Sequence, residues 1–451
     1  MYKIVTILSC SLLFIFGCKN DDDCIDPPVT PVITFTGTVA SLSNFGGSQN
    51  DSYRSVAATT DGGYIVTGYT QSIDGDITDK TVEEFDYWVV KYANDDTIQW
   101  SKTFGGSQDD RANQIIQTND GGYALIGYSK SNDLDVIGNQ GLKDFWMLKL
   151  DASGAISWQK DFGFSGNDKG ITLIQTMDGG YLLGGIIDVT ASGGLGTDKS
   201  MQINHSGGDY WVIKLDASGT KIWRKFYGGG QTDILNDVIQ TTDGGFLLVG
   251  ESDSIDVDIN NNQGDEDFWV VKINNSGVIV WEKSYGGTEI EKGYHITKTN
   301  DGNYVVVGDA RSTDGDLTNS KGNADVWALK INDSGNIIWQ KNYGGTSFDS
   351  ARSVTTDSEG NLFITGSSRS TNTLNSNTTT NKGQNDVWIL KINTNGAFIW
   401  QKSLGGSEIE VGYGITQLQD GSIVVVGDTV SDDFDFPNNK GFKDALIIRI
   451  N

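Results

Sequence analysis

The sequence predicts an all-β fold, a seven-bladed β-propeller of four-stranded antiparallel blades, and three recurring patterns predict it. A link of the form Phe/Tyr/Leu-Gly-Gly recurs at Gly46, Gly105, Gly228, Gly286, Gly344 and Gly405, with Phe162-Gly163-Phe164 as a degenerate copy. A turn of the form Asp-Gly-Gly, or a near relative, recurs at Asp61, Asp120, Asp178, Asp243, Asp301 and Asp420, and Asp357 heads a looser copy. The pattern Asp-x-Trp-x-x-Lys starts at Asp86, Asp144, Asp209, Asp267, Asp325 and Asp386, and the copy at Asp444 carries leucine and arginine instead. Most periods are 58 or 59 residues, with 65 and 61 where loops lengthen. Self-similarity at a fixed period marks one supersecondary unit that buries its faces only against its neighbours.

Each copy reads as four short strands. In the second copy these are residues 113–118, 123–128, 144–150 and 155–162. Gly, Asp and Asn bound each run, and β-branched and aromatic residues fill it. Several runs are almost continuously apolar, as strands covered on both faces are. The short turn from Asp151 to Gly154 joins the third strand to the fourth and so fixes which strands share a blade. All twelve tryptophans fall in the repeats, six as Asp-x-Trp and six lying 12 residues later, so they read as core. The last copy stops at Asn451, after its third strand. Residues 32–45 have the spacing of a fourth strand, with Ser41 where the tryptophan would stand. They are expected to complete the seventh blade and close the ring, which removes open sheet edges. No long run has helical spacing, and almost no helix is expected.

The two ends of the domain differ in kind. Residues 1–17 read as a signal peptide: a positive start, then 13 mostly apolar residues from Ile4 to Phe16, too few to span a bilayer. Ile15-Phe16-Gly17-Cys18 resembles the bacterial lipobox, which implies that Cys18 becomes the lipidated N-terminus. Lys19-Asn20-Asp21-Asp22-Asp23 resembles the acidic tag of surface lipoproteins of the Bacteroidota, which implies the outer membrane, facing the cell exterior. Residues 18–32 hold three of the four prolines and read as a tether, and residues 33–451 as the propeller. With Cys24 the only other cysteine past the signal, no internal disulfide is expected. A net charge of −26 argues against nucleic acid and favours solubility, cationic partners or divalent ions.

The order Gly-Gly-Ser-x-x-Asp, Asp-Gly-Gly-Tyr-x-x-x-Gly and Asp-x-Trp-x-x-Lys-Leu-Asp resembles the bacterial β-propeller repeats of secreted and surface proteins, notably the SBBP type. The resemblance covers nearly all of residues 33–451. It implies the fold and says little of function, since propellers host many activities.

Strand order separates two rims. The tight turns between strands one and two, and between three and four, share one rim. The longer loops between strands two and three share the other with the Gly-Gly links, and function on rigid scaffolds concentrates in such loops. Four residues past each second glycine stands an acid: Asp51, Asp110, Asp168, Asp233, Glu291, Asp349 and Glu410. These are expected at the mouth of the central channel, as a ring that draws cations or as caps for backbone N–H groups, and their recurrence in every copy favours caps. A second set, Asp-x-Asp, occurs as Asp74/Asp76, Asp133/Asp135, Asp256/Asp258, Asp314/Asp316 and Asp433/Asp435. Alternating oxygen ligands suit calcium, although no copy carries a closing glutamate, and turn-forming aspartates are the plainer reading. The third and sixth copies instead have longer loops, residues 188–208 and 370–385, the best candidates for specific recognition. His205 and His295 have no catalytic spacing, and no catalytic residue is assigned.

The expected function is a non-enzymatic cell-surface binding or scaffold module for a protein or glycan, including service as an accessory subunit of an outer-membrane complex. Two alternatives stand beside it: a carbohydrate-active hydrolase or lyase using loop-rim carboxylates, and a calcium-stabilised adhesion module. No cofactor other than calcium is expected.

Overall fold

The second and third strands of each repeat are so apolar that both faces must be covered. In the computed structural model, which describes residues 35–197, 205–318, 320–371 and 381–451, that demand is met by stacking sheet on sheet around a ring. Among the described residues, twenty-eight strands, β1 to β28 in chain order, form seven four-stranded antiparallel sheets. Blades 1 to 6 occupy residues 51–104, 110–162, 169–227, 233–285, 291–343 and 349–404. Strands β3 (Tyr64–Thr70) and β4 (Asp86–Tyr92) of blade 1 are buried along their whole length, whereas β5 (Ile98–Phe104) is half-exposed.

The core lies between blades rather than within them. One cluster joins Ile65, Tyr87 and Val89 of blade 1 to Ala112, Ile115, Leu125, Trp146 and Leu148 of blade 2. The tryptophans at 88, 146, 211, 269 and 327 are among the largest fully buried side chains, as expected. A tryptophan removes roughly 200 Å² from water, and each such burial contributes about 5 kcal/mol before the entropy of ordering is counted. The later tryptophan of each pair reaches the next blade: Trp223, Trp281 and Trp339 donate to the carbonyls of Asn275, Asp333 and Thr394, each at 3.1 Å. The lysine of Asp-x-Trp-x-x-Lys pairs with the aspartate of its own blade's turn, as Lys91 does with Asp61 at 2.9 Å and Lys149 with Asp120 at 2.9 Å.

Blade 7 contains β26 (Glu410–Gln417), β27 (Ile423–Thr429) and β28 (Asp444–Ile450), and its fourth strand is β1 (Val39–Phe45). The register runs from Val39 opposite Ile450 to Phe45 opposite Ala445. Ser41 stands in the tryptophan's place and donates to Asp96 in the three-to-four hairpin of blade 1 at 2.8 Å, the same hairpin a tryptophan would reach. Arg449, where other blades have lysine, bonds Asp420 and Asp96 across that junction. Phe35 packs edge-on against Trp400 and Phe363 of blade 6. The only helix among the described residues is the single turn Val189–Ser192, capped by the Asp188 side chain.

Candidate functional site

The seven acids expected at the channel mouth lie instead inside the links between blades, with no exposed surface. This corrects their placement, and the cause is local. The chain turns sharply at Gly-Gly, which leaves an N–H pointing back at the strand that follows, and the acid four residues on accepts it. Asp51 accepts from the Gly47 N–H at 2.7 Å, the Thr70 hydroxyl at 2.5 Å and the Ser72 hydroxyl at 2.8 Å. Asp110, Asp349 and Asp233 repeat the scheme with Ser131, Ser370 and Ser254. Glu410 accepts from Gly406 and Thr429, Glu291 from Gly287 and Ser312, and Asp168 from the backbone of Phe164 and Asp188. Their oxygens are turned inward to the scaffold.

The Asp-x-Asp pairs close the same links from outside. Asp74, Asp133, Asp256, Asp314 and Asp433 accept the backbone N–H groups of Ser48, Ser107, Gly230, Thr288 and Ser407 at 2.7–2.9 Å. Asp76, Asp135, Asp258, Asp316 and Asp435 accept from Gly46, Gly105, Gly228, Gly286 and Gly405 at 2.9–3.3 Å. Among the described residues, no three or more His, Cys, Asp or Glu side chains gather so as to hold a metal ion.

The first glycine of each link is required by crowding. A Cβ on Gly105 would lie 2.2 Å from Asp86 and 3.0 Å from Asp110, and one on Gly286 would lie 2.1 Å from Asp267 and 2.6 Å from Glu291. Two buried carboxyl groups therefore face each other across the glycine at each such junction. Burial first, then the neighbouring charges, raises Asp86, Asp209, Asp386 and Asp444 to about 6, and Asp168, Asp233 and Asp267 to about 7. Partners differ between blades: Lys80 pairs with Asp86 at 2.9 Å and His205 with Asp209 at 2.6 Å. In blade 2 the neighbour is a second acid, Asp161, raised well above the carboxylate range by burial and by Asp144.

The central channel has a different chemistry. Its wall is the first strand of every blade, and each of these strands carries a β-bulge three residues past its acid. A bulge re-aims the extra side chain, and here all seven line a cavity of about 770 Å³: Arg54, Asn113, Ile171, Asn236, Tyr294, Arg352 and Tyr413. Just below, side chains take up the strand-edge N–H groups of the next blade. Ser55 accepts from Ile115 at 3.3 Å, Gln114 from Leu173 at 2.5 Å and Asp237 from Ile296 at 3.0 Å. Above the bulges, toward the loop rim, cations rest on aromatic rings. Arg54 lies 3.8 Å from the Tyr413 ring centre, Arg111 3.7 Å from that of Phe85 and Lys143 4.0 Å from that of Tyr128. None of these channel cations stood out in the sequence. The signal that would have found them is variation from copy to copy at three repeat positions: one and three residues past the acid, and one before Asp-x-Trp.

Of the two irregular loops, residues 198–204 and 372–380 lie outside the described residues, as do Cys18 and the rest of residues 1–34. Exposed apolar side chains on the loop rim include Leu134, Ile137 and Leu142 of blade 2 and Phe434 and Phe442 of blade 7. His295 sits in the channel wall, 3.6 Å from Asp237.

No protein-family model and no curated protein matches the sequence. Solved structures similar to this chain include the Pan2 WD40 domain of Neurospora crassa, at 9% identity and a TM-score of 0.47, covering 90% of this chain and 95% of that one. Another is YCF48 bound to D1 peptide, at 7% identity and a TM-score of 0.47, covering 94% and 99%. A gluconolactonase of Xanthomonas campestris, XC5397, is similar at 9% identity and a TM-score of 0.36, covering 94% and 95%. At these identities and scores none of the three bears on ligand or activity.

Proposed function

We propose that this chain is a lipid-anchored cell-surface module that binds a protein or glycan through its loop rim, held at the outer membrane by Cys18. The observation that carries the reading is the inequality of the two rims. One rim is built of turns closed by their own aspartates, as Asp61 accepts from Thr59 and from the Gly63 N–H at 3.1 Å. The other exposes Leu134, Ile137, Leu142, Phe434 and Phe442 around a channel mouth lined with cations and aromatic rings. Exposed apolar groups beside polar ones mark interaction surfaces, and a rigid ring displays them at little entropic cost.

The test is capture of partners from detergent-solubilised outer membranes, together with a glycan array. A specific partner or glycan, lost when the loop rim is blocked, supports the reading, and a blank on both overturns it. The anchor is tested separately: Cys18→Ala should abolish incorporation of a labelled fatty acid and release the chain to the soluble fraction. Continued membrane retention with label would contradict that part.

A further inference from the structure

The chain carries a net charge of −26, yet one arc of its channel mouth, over blades 7, 1, 2 and 3, holds excess positive charge. Arg54, Arg111, Lys130, Lys143, Lys169 and Lys443 meet there, and the carboxylates paired with them are Asp109 and Asp428. Asp109 serves Arg111 at 2.6 Å and Lys130 at 3.4 Å, and Asp428 serves Lys443 at 3.1 Å and Arg54 at 3.8 Å. Lys143 and Lys169 have no carboxylate partner within ion-pair distance among the described residues. The guanidinium groups of Arg54 and Arg111 both lie about 5 Å from the ring of Tyr69, at 5.1 and 4.9 Å. The facing arc, over blades 4 to 6, is matched: Lys292 pairs with both Glu251 and Glu266, and the charges of Asp309 and Arg352 act on each other.

We propose that this positive arc is a binding site for a small oxyanion-bearing ligand, a carboxylate, sulfate or phosphate, free or at the end of a saccharide. Like charges gathered in a half-buried cleft are costly without a counter-charge. Two groups register that potential. Burial would raise the Tyr69 phenol, but Arg54 holds it below its usual value, and burial together with Lys169 lowers Lys143 to about 8. Arg54, Arg111 and Lys143 are steadied against aromatic rings, so these three lose little rotamer freedom when an anion arrives. The adjoining channel cavity, which Arg54 and Lys169 of this set line, suits a small ligand or a chain end. An acidic peptide is disfavoured: Ser55, Gln114 and Asp237 already accept strand-edge N–H groups that a peptide backbone would use.

The inference rests on the loop rim being the binding face. Its test is calorimetric titration of the mature chain with inorganic sulfate, inorganic phosphate, a short oligogalacturonate, the neutral oligosaccharide and a glutamate-rich peptide. The comparison variant is Arg111→Ser, Lys143→Ala, Lys169→Ile, which installs residues that other blades carry at the same positions: Ser52, Ala324 and Ile234. Binding of an oxyanion probe that weakens at least about tenfold in the variant and falls with salt supports the inference. No oxyanion binding, equal binding by the variant, or binding of the peptide alone overturns it. A chain that captures a membrane partner but binds no oxyanion keeps the reading of the rim and loses this inference. Oxyanion binding without any captured partner or glycan does the reverse.

Discussion

Two positions of the same strand, three residues apart, do opposite work. The acid that opens each inner strand is repeated in all seven blades and buried, its oxygens spent on the Gly-Gly link. The bulged residue three places on is arginine, asparagine, isoleucine or tyrosine depending on the blade, and it always faces the channel. The difference teaches that repetition in this ring marks what the scaffold needs at every junction. What varies around the ring is released from that duty and free to carry a ligand.

That comparison can be broken from either side. The largest effect is expected at the repeated position. Asp110→Ala leaves an N–H and two hydroxyls unpaired in a dry junction and should lower the unfolding free energy by about 3–5 kcal/mol. A chemical-denaturation midpoint equal to the parent's would show the cradle to be dispensable.

The junctions should also register in the pH dependence of stability. Their carboxyl groups are raised to about 6 or 7 by burial, above the unfolded value near 4. Between those limits the folded chain holds protons that the unfolded chain has released, so stability is fully present below about pH 4 and declines as pH rises toward 7. The turn aspartates Asp120, Asp178 and Asp243, held at about 2 by hydroxyls and lysines against any cost of burial, oppose this only at lower pH. The melting temperature should therefore fall by more than about 5 °C from pH 5 to pH 8. A rise over that range would contradict the buried pairs.

Smaller effects sharpen the contrast. Asp161→Thr gives blade 2 the residue that blade 1 carries as Thr103 and removes the second buried carboxyl group beside Asp144. It should stabilise by about 1–2 kcal/mol, more at pH 8 than at pH 5. Loss of stability would mean that the pair is held by a bond of its own. The middle residue of Asp-x-Asp has positive φ, with Gly75 and Gly315 in two blades but Val257 at 59° in another. Val257→Gly should gain less than about 1 kcal/mol, left-handed strain relieved minus the glycine's own entropy. A clear loss would show that the exposed valine packs on something.

Much of the fold was legible because it is periodic. Blade count, strand order and the closing strand with Ser41 all followed from motif spacing, and the single helical turn after Asp188 agrees with the expectation of almost no helix. The acids were legible as a set, and their recurrence favoured caps for backbone N–H groups, but spacing did not show that they lie inside the links rather than at the channel mouth. Spacing places Asp51 at the head of its strand. Only the return of Thr70 and Ser72 from the next strand turns it inward. The basic arc was hidden for the opposite reason. Arg54, Arg111 and Lys169, and Lys143 come from three different repeat positions, each filled by a cation in only some copies, and only ring closure, bringing blade 7 beside blade 1, gathers them with Lys443.

The central claim is that the loop rim, not the turn rim, binds. Single cysteines placed at Leu142 on the former or Asn119 on the latter, in a Cys24→Ser chain and carrying a bulky maleimide, would be compared in partner capture from solubilised outer membranes. Capture should be lost with the label at position 142 and kept with the label at 119. The reverse pattern would contradict the account.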